Sequence, residues 1–450
     1  MLLNSCGLYK KYERPDVKVE DTVMRDAALY ANTADTTTFG DVAWREVFTD
    51  PQLQYLIEEG LKNNVDIFQA AANVQKVEAA LSCARLAFLP SFAFTPSGTL
   101  SKVVTGDYQQ PWTKAYALPV SASWTIDIFG NILSQKRGAE MQLAMTKDYQ
   151  QVTRSKVICG IANCYYTLLM LDRQLQILND MDVLTNDTYE MMKLQKQLSG
   201  ARETSVVSAQ AANLNVKAQI VDMKRQISEV ENSLSLLLGH SAQHIERTTL
   251  EQQSLPEKFS VGCAVGLLAN RPDVHAAEMN LANCFYAVET ARSQFYPSIT
   301  ISAAGSWTNN LGSMIANPGQ LLASIVGSLT QPIFQNGRLV ANLKAAKLDY
   351  EVAEKQWVQT ILEAGSEVSN YLVEYNSSKQ KSDLDRQQVE VLKKSVDYTR
   401  DLFKMGSSSY LEVIQAQSSL LNAEISQVTD DFNKMQAVVN LYSALGGGKN

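Results

Sequence analysis

Ala84-Arg85-Leu86-Ala87-Phe88-Leu89-Pro90-Ser91 returns 207 residues later as Ala291-Arg292-Ser293-Gln294-Phe295-Tyr296-Pro297-Ser298. Other landmarks follow in the same order. Ser123-Trp124-Thr125-Ile126-Asp127-Ile128-Phe129 returns as Ser328-Leu329-Thr330-Gln331-Pro332-Ile333-Phe334, at an offset of 205. Gly160 and Tyr166 match Gly365 and Tyr371, again at 205. Ala209-Gln210 matches Ala416-Gln417, and Leu238-Gly239 matches Leu445-Gly446, both at 207. Landmarks in one order at a nearly constant offset mark a duplicated unit. Each copy reads as a helix, two strands, a very long helix, a turn and a long helix. The first copy is placed at 42–240, a linker at 241–262 and the second copy at 263–450.

The strands are legible because apolar residues alternate with hydroxylated ones. Over 115–129, Tyr116, Leu118, Val120, Ala122, Trp124, Ile126 and Ile128 alternate with Ser121, Ser123, Thr125 and Asp127. Ile299, Ile301, Ala303 and Trp307 alternate with Ser298, Thr300, Ser302, Ser306 and Thr308. Less regular alternation gives strands at about 90–103 and 319–334, beside those at about 114–129 and 297–309. A soluble sandwich would bury such an oily face in a core, and alternation alone leaves that open; strands of this length carrying aromatics also match a membrane barrel, which would turn the face to lipid. Four strands cannot close a barrel, since roughly eight is the practical minimum. Two chains would give a side-chain-filled interior, and three would give twelve strands around a wet bore.

The rest is helix. No proline interrupts the chain between Pro119 and Pro256, or after Pro332. Long helices are placed at about 134–199, 204–239, 338–404 and 409–445, the first reaching roughly 100 Å. Leu339, Leu343, Ala346, Tyr350, Ala353 and Trp357 form a seam of four- and three-residue steps. After a stutter it continues at Ile361, Ala364, Val368, Tyr371 and Tyr375. Glycine-centred turns fall at Leu198-Ser199-Gly200-Ala201 and Met405-Gly406-Ser407-Ser408, with hydroxylated residues expected to open the next helix.

Composition narrows the function. A net charge of −7 disfavours nucleic-acid binding. No apolar run reaches the ~18–20 residues of a spanning helix, so any membrane crossing must use strands. Cys83, Cys159, Cys164, Cys263 and Cys284 show no metal or redox spacing and read as small apolar residues. His240 and His244 stand four apart without an accompanying metalloprotease motif, and His275 is isolated. No metal site, cofactor or catalytic residue is expected. Leu3-Asn4-Ser5-Cys6 resembles the end of a bacterial lipobox, which makes Cys6 the expected acylation site. The absence of a charged start and apolar core before it points to a trimmed leader or a late start codon. Residues 1–41 then form a lipidated tether.

Arg292-(x)2-Phe295-Tyr296-Pro297-Ser298, Pro332-Ile333-Phe334-(x)2-Gly337 and Tyr410-Leu411-Glu412-Val413-Ile414-Gln415-Ala416-Gln417 together resemble the TolC/OprM-like outer-membrane efflux factors. Arg271-Pro272-Asp273 and Ala444-Leu445-Gly446-Gly447-Gly448 extend the resemblance over about 42–448. Cys6 aligns it with the lipoprotein, NodT-type branch. The resemblance implies a mainly α, trimeric α/β-barrel duct: a twelve-stranded outer-membrane barrel, four strands per chain, continued by a twelve-helix periplasmic coiled-coil tunnel. It implies a periplasmic adaptor and an inner-membrane RND-type pump as partners, outer-membrane lipids around the barrel, and passive conduction of drugs or other small solutes. On this reading Tyr116, Leu118, Trp124, Ile126, Ile299, Ile301 and Trp307 face lipid. The turns with Gly200, Ala201, Gly406, Ser407 and Ser408 meet the adaptor. Leu411, Gln415 and Ser418 line the periplasmic aperture. The family often has an acidic and a basic residue where this chain has Gln415 and Ser418, so charge-based closure is not expected here.

Other functions fit less well. Three histidines and no nucleophile or phosphate-loop motif argue against an enzyme. A soluble periplasmic coiled-coil adaptor leaves the two-faced strands unexplained. A protein-secretion duct of the same fold stays open, and neighbouring genes would separate it from solute efflux.

Overall fold

The computed structural model describes residues 10–16, 39–102, 104–105, 108–109, 111–199, 202–256, 271–311 and 314–449. Cys6, Gly200, Ala201 and Cys263 lie outside these. The chain is mainly helical with a small antiparallel sheet. The helices are α1 (Trp44–Val47), α2 (Pro51–Asn63), α3 (Val65–Leu86), α4 (Asn131–Ser199), α5 (Glu203–Leu237), α6 (Pro272–Ser293), α7 (Arg338–Lys404) and α8 (Tyr410–Ala444). The strands are β1 (Ser91–Phe94), β2 (Ser97–Ser101), β3 (Val104–Thr105), β4 (Tyr108–Gln109), β5 (Thr113–Ile126), β6 (Ser298–Leu311) and β7 (Met314–Thr330). None of the described helices is apolar enough to cross a membrane.

Compactness divides the chain into two units, each drawn from three separate stretches. One unit holds Met1–Val17, Asn73–Lys147 and Ala276–Val358; the other holds Lys18–Ala72, Asp148–His275 and Gln359–Asn450.

In the first unit the sheet runs β1/β2–β5–β6–β7, with β1 and β2 sharing one lane against β5. The strand expected as continuous over about 90–103 is broken at Thr95-Pro96, because proline cannot donate to a ladder. The strand expected to reach residue 129 leaves the sheet after Ile126. Asp127 instead accepts the Leu133 N–H at 2.7 Å and caps the start of α4. Residues 10–16, within the segment expected as a tether, include side chains packed on helices of this unit. Arg14 pairs with the buried Glu278, at 2.7 Å from Nε to Oε1, and Tyr12 stacks edge-on against Phe285.

In the second unit the core gathers Trp44, Phe48, Leu53 and Ile57 with Ile158, Ile161, Tyr165 and Leu168 of α4, Leu234 of α5 and Val438, Leu441 and Tyr442 of α8. Arg247, in the segment after α5, bonds Asp172 on α4 and Glu231 on α5. On α7 the seam read from the sequence is buried or half-buried throughout, with Ala364 and Val368 almost fully enclosed. Gly447 closes the C-terminal turn: a Cβ there would sit 2.5 Å from the Tyr442 ring, so the close approach needs glycine.

Local bonding recurs at one offset. Trp124 Nε1 donates to the Phe88 carbonyl at 2.9 Å, and Gln331 Nε2 to the Phe295 carbonyl at 3.0 Å. Ser91 Oγ bonds the Ser123 carbonyl and Ser298 Oγ the Thr330 carbonyl. Ser121 Oγ bonds Ala93 and Ser328 Oγ bonds Thr300. The C-terminal turns match too: His240 N–H to Ser235 O and Gly447 N–H to Tyr442 O, both 2.9 Å. In every pair the second bond lies 207 residues after the first. The 205-residue matches over 123–129 and at Gly160 and Tyr166 are therefore corrected. In a strand a shift of two keeps every side chain on its face, so alternation cannot separate 205 from 207. In a helix a shift of two moves a residue to the other side. The buried Val157, Ile161, Tyr165 and Leu168 accordingly answer to the buried Ala364, Val368, Leu372 and Tyr375.

Candidate functional site

Two surfaces carry the residues singled out by sequence, one in each unit. The first is the sheet. Direct pairing sets Leu118 opposite Trp307, Trp124 opposite Ile301, and Ile126 opposite Ile299. Across β6 and β7 the same face continues with Trp307–Leu321, Ala303–Ile325 and Ile299–Leu329. Across β1 and β5 it continues with Phe92–Ala122 and Phe94–Val120. All seven residues expected to face lipid therefore share one face. Tyr116, Leu118, Trp124 and Trp307 are exposed, while Ile126, Ile299 and Ile301 are half-buried.

The opposite face is hydroxylated and small. On β5 it holds Thr113, Ala115, Ala117, Pro119, Ser121, Ser123 and Thr125, and on β6 Ser298, Thr300, Ser302, Ala304, Ser306 and Thr308. No charged side chain interrupts either row. Trp124 lies near the end of β5, its indole bonded to the Phe88 carbonyl before β1. Val120, between Phe94 and Gly305, is the residue at mid-strand.

The second surface lies at the α7–α8 turn. Gly406 has φ 74°, a left-handed conformation that costs an L-residue about 1–2 kcal/mol. Its N–H bonds Phe403 O at 3.0 Å and Ser407 N–H bonds Leu402 O at 2.9 Å, the two bonds of a Schellman ending. Ser409 caps α8 through a reciprocal bond pair with Glu412. Ser408 Oγ also bonds Glu412. These donors hold the Glu412 carboxyl below the usual range, so it stays ionised through neutral pH. At the first turn the expectation of a hydroxylated cap fails. Helix α5 starts at Glu203, with Arg202 at the cap position and no side-chain bond. Lys196 reaches across to Glu203 instead.

Leu411, Gln415 and Ser418 are all exposed and lie along one side of α8, with Leu411 73% exposed. The other side, Val413, Gln417 and Leu420, is buried. Gln417 Nε2 bonds Thr188 Oγ1 on α4 at 3.0 Å, so the amide of this glutamine is internal while that of Gln415 is free to face outward. Phe403, Val413, Met192, Val206 and Ala209 pack the hairpin ends together.

Arg271 is a structural residue that the motif flagged without explaining. Its guanidinium holds Asp273 through two bonds, Glu367 at 2.9 Å and the Ala444 carbonyl at 2.9 Å. Burial would raise the Asp273 carboxyl, but its bonds to Arg271 outweigh this and hold it below the usual range. His240 and His244 turn to different carboxylates, Glu59 and Glu231, and His275 bonds Asp148. Among the described residues no group of His, Cys, Asp or Glu is arranged to hold a metal ion.

A Gly406 substitution isolates the turn's surface from its fold. A Cβ built there meets nothing within 4 Å, so only the backbone preference is lost. We expect Gly406→Leu to leave the packing around the turn intact at a backbone cost of about 1–2 kcal/mol, read by denaturant unfolding. A loss well beyond that would show that side-chain packing at this turn also depends on the glycine.

A family description, "Outer membrane efflux protein", matches residues 56–240 and 265–447. The cation efflux system protein CusC of Escherichia coli is 26% identical over 100% of this chain and 97% of its own. The toluene efflux pump outer membrane protein TtgC of Pseudomonas putida is 27% identical over 99% of this chain and 93% of its own. The probable outer membrane lipoprotein SilC of Salmonella typhimurium is 24% identical over 100% and 96%. Among solved structures, the open-state MtrE outer membrane channel of Neisseria gonorrhoeae superposes with a TM-score of 0.86 at 23% identity, over 98% of each chain. The outer-membrane channel OprN gives 0.85 at 21%, over 97% of this chain and 98% of its own.

Proposed function

This chain belongs to the outer membrane efflux protein family, and from that premise we propose that it is the outer-membrane exit duct of a tripartite efflux system. The observation that carries the reading is the family match over nearly the whole length of both halves. Its relatives serve cation and toluene efflux by name, so one duct design accommodates unlike cargoes. Here the uncharged hydroxyl row on one face of the sheet suits a bore that leaves cargo choice to the pump. The chain does no chemistry of its own.

The finer reading is a homotrimer with two internal repeats per chain: 42–240 and 263–450, joined by a linker at 241–262. Three four-lane sheets form a twelve-stranded barrel, and twelve long helices form the periplasmic tunnel. The 207-residue recurrence of hydrogen bonds supports the repeats. The two unpaired sheet edges support closure by other copies. Acylation at Cys6 anchors the N-terminal segment, as the lipoprotein name of SilC supports. The oily face meets lipid. The turns at Gly200–Ala201 and Gly406–Ser408 meet a periplasmic adaptor that links the duct to an RND-type inner-membrane pump. Detergent-extracted protein should have a protein mass of ~150 kDa by light scattering, three times the 49.7 kDa chain. The same preparation should conduct in planar bilayers. A stable 50 kDa-class monomer without conductance would overturn the reading.

At the aperture, Leu411, Gln415 and Ser418 from three chains form one apolar and two neutral polar rings. Neutral amide contacts across a wet axis hold less firmly than charge-assisted ones. Leu411→Ala or Gln415→Ala should raise single-channel conductance, and closure should vary little between pH 5 and 8. Gln415→Asp should add cation preference that fades with salt. Unchanged conductance and selectivity in all three would move the constriction elsewhere, to 204–211 on α5.

A further inference from the structure

We propose the residue register by which β7 of one chain pairs with the β1/β2 lane of a second copy: Ser324 opposite Ser101, Val326 opposite Thr99, Ser328 opposite Ser97 and Thr330 opposite Thr95. The inference rests on the trimeric-barrel reading and deepens it.

It follows from the duplication and from one ladder already present. The two hairpins have the same register: Ser91 faces Ser123, and 207 residues on, Ser298 faces Thr330. Phe92 faces Ala122, and Ile299 faces Leu329. Each hairpin is thus the same ribbon with the same stagger. Within one chain the second strand of the first ribbon, β5, joins the first strand of the second ribbon, β6, with Ala117 opposite Thr308 and Ser121 opposite Ala304. The remaining free edges are the same two kinds of strand, the second strand of a ribbon (β7) and the first strand of a ribbon (β1/β2). Equivalent edges offer the same backbone donors and acceptors, so the joint inside the chain is the template for the joint between chains. Moving Ala117 forward and Thr308 back by 207 gives Ser324 and Ser101. The same step turns Ser121–Ala304 into Ser328–Ser97.

Side-chain chemistry agrees independently. A one-residue slip would set oily positions against hydroxylated ones. In the proposed register the hydroxyl rows meet each other, and Ile325 meets Leu100. Both are exposed, at 81% and 58%. Two oily edges of this kind are a liability until a partner covers them. Pro96 falls opposite Leu329, at the break between β1 and β2, where a missing N–H is tolerated.

Cysteine pairs test the register in outer membranes containing the full chain. Ser324→Cys with Ser101→Cys, and Ser328→Cys with Ser97→Cys, should form interchain disulfides under mild oxidation, because paired Cβ atoms lie within bonding reach. Each chain gives one thiol and receives one, so the gel should show dimer and trimer bands that reduction removes and that single-cysteine parents lack. Ser121→Cys with Ala304→Cys is the matching pair inside one chain and should close without changing the oligomer bands. Ser328→Cys with Thr99→Cys, or with Thr95→Cys, represents a two-residue slip and should give at least tenfold less crosslinking. Preferential crosslinking of a slipped pair would overturn the register while leaving the barrel intact. A trimer by light scattering that crosslinks at none of these pairs would also overturn it. A protein that is monomeric by light scattering would instead defeat the barrel reading itself.

Discussion

Replacing Arg271 with alanine should destabilise the second unit by about 1.5–3 kcal/mol, the usual worth of hydrogen bonds to charged groups, because the arginine is buried while its carboxylate partners are partly exposed. The Arg271 side chain is 10% exposed and its guanidinium serves four acceptors on three segments: both oxygens of Asp273, Glu367 on α7, and the Ala444 carbonyl at the end of α8. Without it, Asp273 keeps a half-buried negative charge without its partner, and Ala444 loses a donor. Arg271→Lys should recover only part of the loss, because an ammonium cannot span Asp273 in a two-bond fork while reaching Ala444. Removing both charges, with Arg271→Ala and Asp273→Ala together, should be less damaging than Arg271→Ala alone. Denaturant unfolding of detergent-extracted protein, followed by far-UV circular dichroism, reads the difference. A single variant within 1 kcal/mol of the parent would show that the cluster is not coupled to stability.

On the proposed barrel reading, placing arginine at Val120 should cost about 2–4 kcal/mol, the penalty of a cation near the middle of the lipid face. The choice of residue follows from the ladder. Val120 is mid-strand and exposed, with Phe94 and Gly305 beside it on the same face. Trp124 is nearer the strand's end, where the cost of a charge falls toward zero to 1 kcal/mol, leaving mainly the lost indole bond to Phe88. Ser121→Arg is the control, one residue away on the hydroxylated face. The Val120 variant should yield far less membrane-inserted, heat-resistant oligomer than the Ser121 variant. Equal yields would reverse the assignment of the faces.

The sequence by itself determined the kinds of element and their faces. Alternation of Tyr116, Leu118 and Val120 with small or hydroxylated residues specifies a two-faced strand, because side chains on a strand alternate by two wherever the strand is placed. The seam from Leu339 to Trp357 specifies the packed side of α7 for the same kind of local reason. Leu411, Gln415 and Ser418 could be grouped because helical spacing alone puts them on one side. The motifs were legible as a family pattern, yet the work done by Arg271 was not. Its acceptors lie 2, 96 and 173 residues away, and no local pattern encodes a contact at such separations.

Tertiary structure decided register and partnership. A two-residue shift leaves a strand's faces unchanged, so only the hydrogen-bonded ladder could replace the 205-residue match with 207. The break at Thr95-Pro96 and the role of Asp127 as a cap came from where the strand ends, which composition blurs by several residues. The first turn lacks the hydroxylated cap seen at Ser409, since Thr204 and Ser205 already lie inside α5. Packing by Tyr12 and Arg14 within a segment that composition marks as a polar tether depends on Phe285 and Glu278, more than 260 residues distant. Periodicity is a property of neighbours along the chain, and the sequence states it. Stagger, capping and long-range pairing depend on which distant groups meet, and only the folded chain brings those groups together.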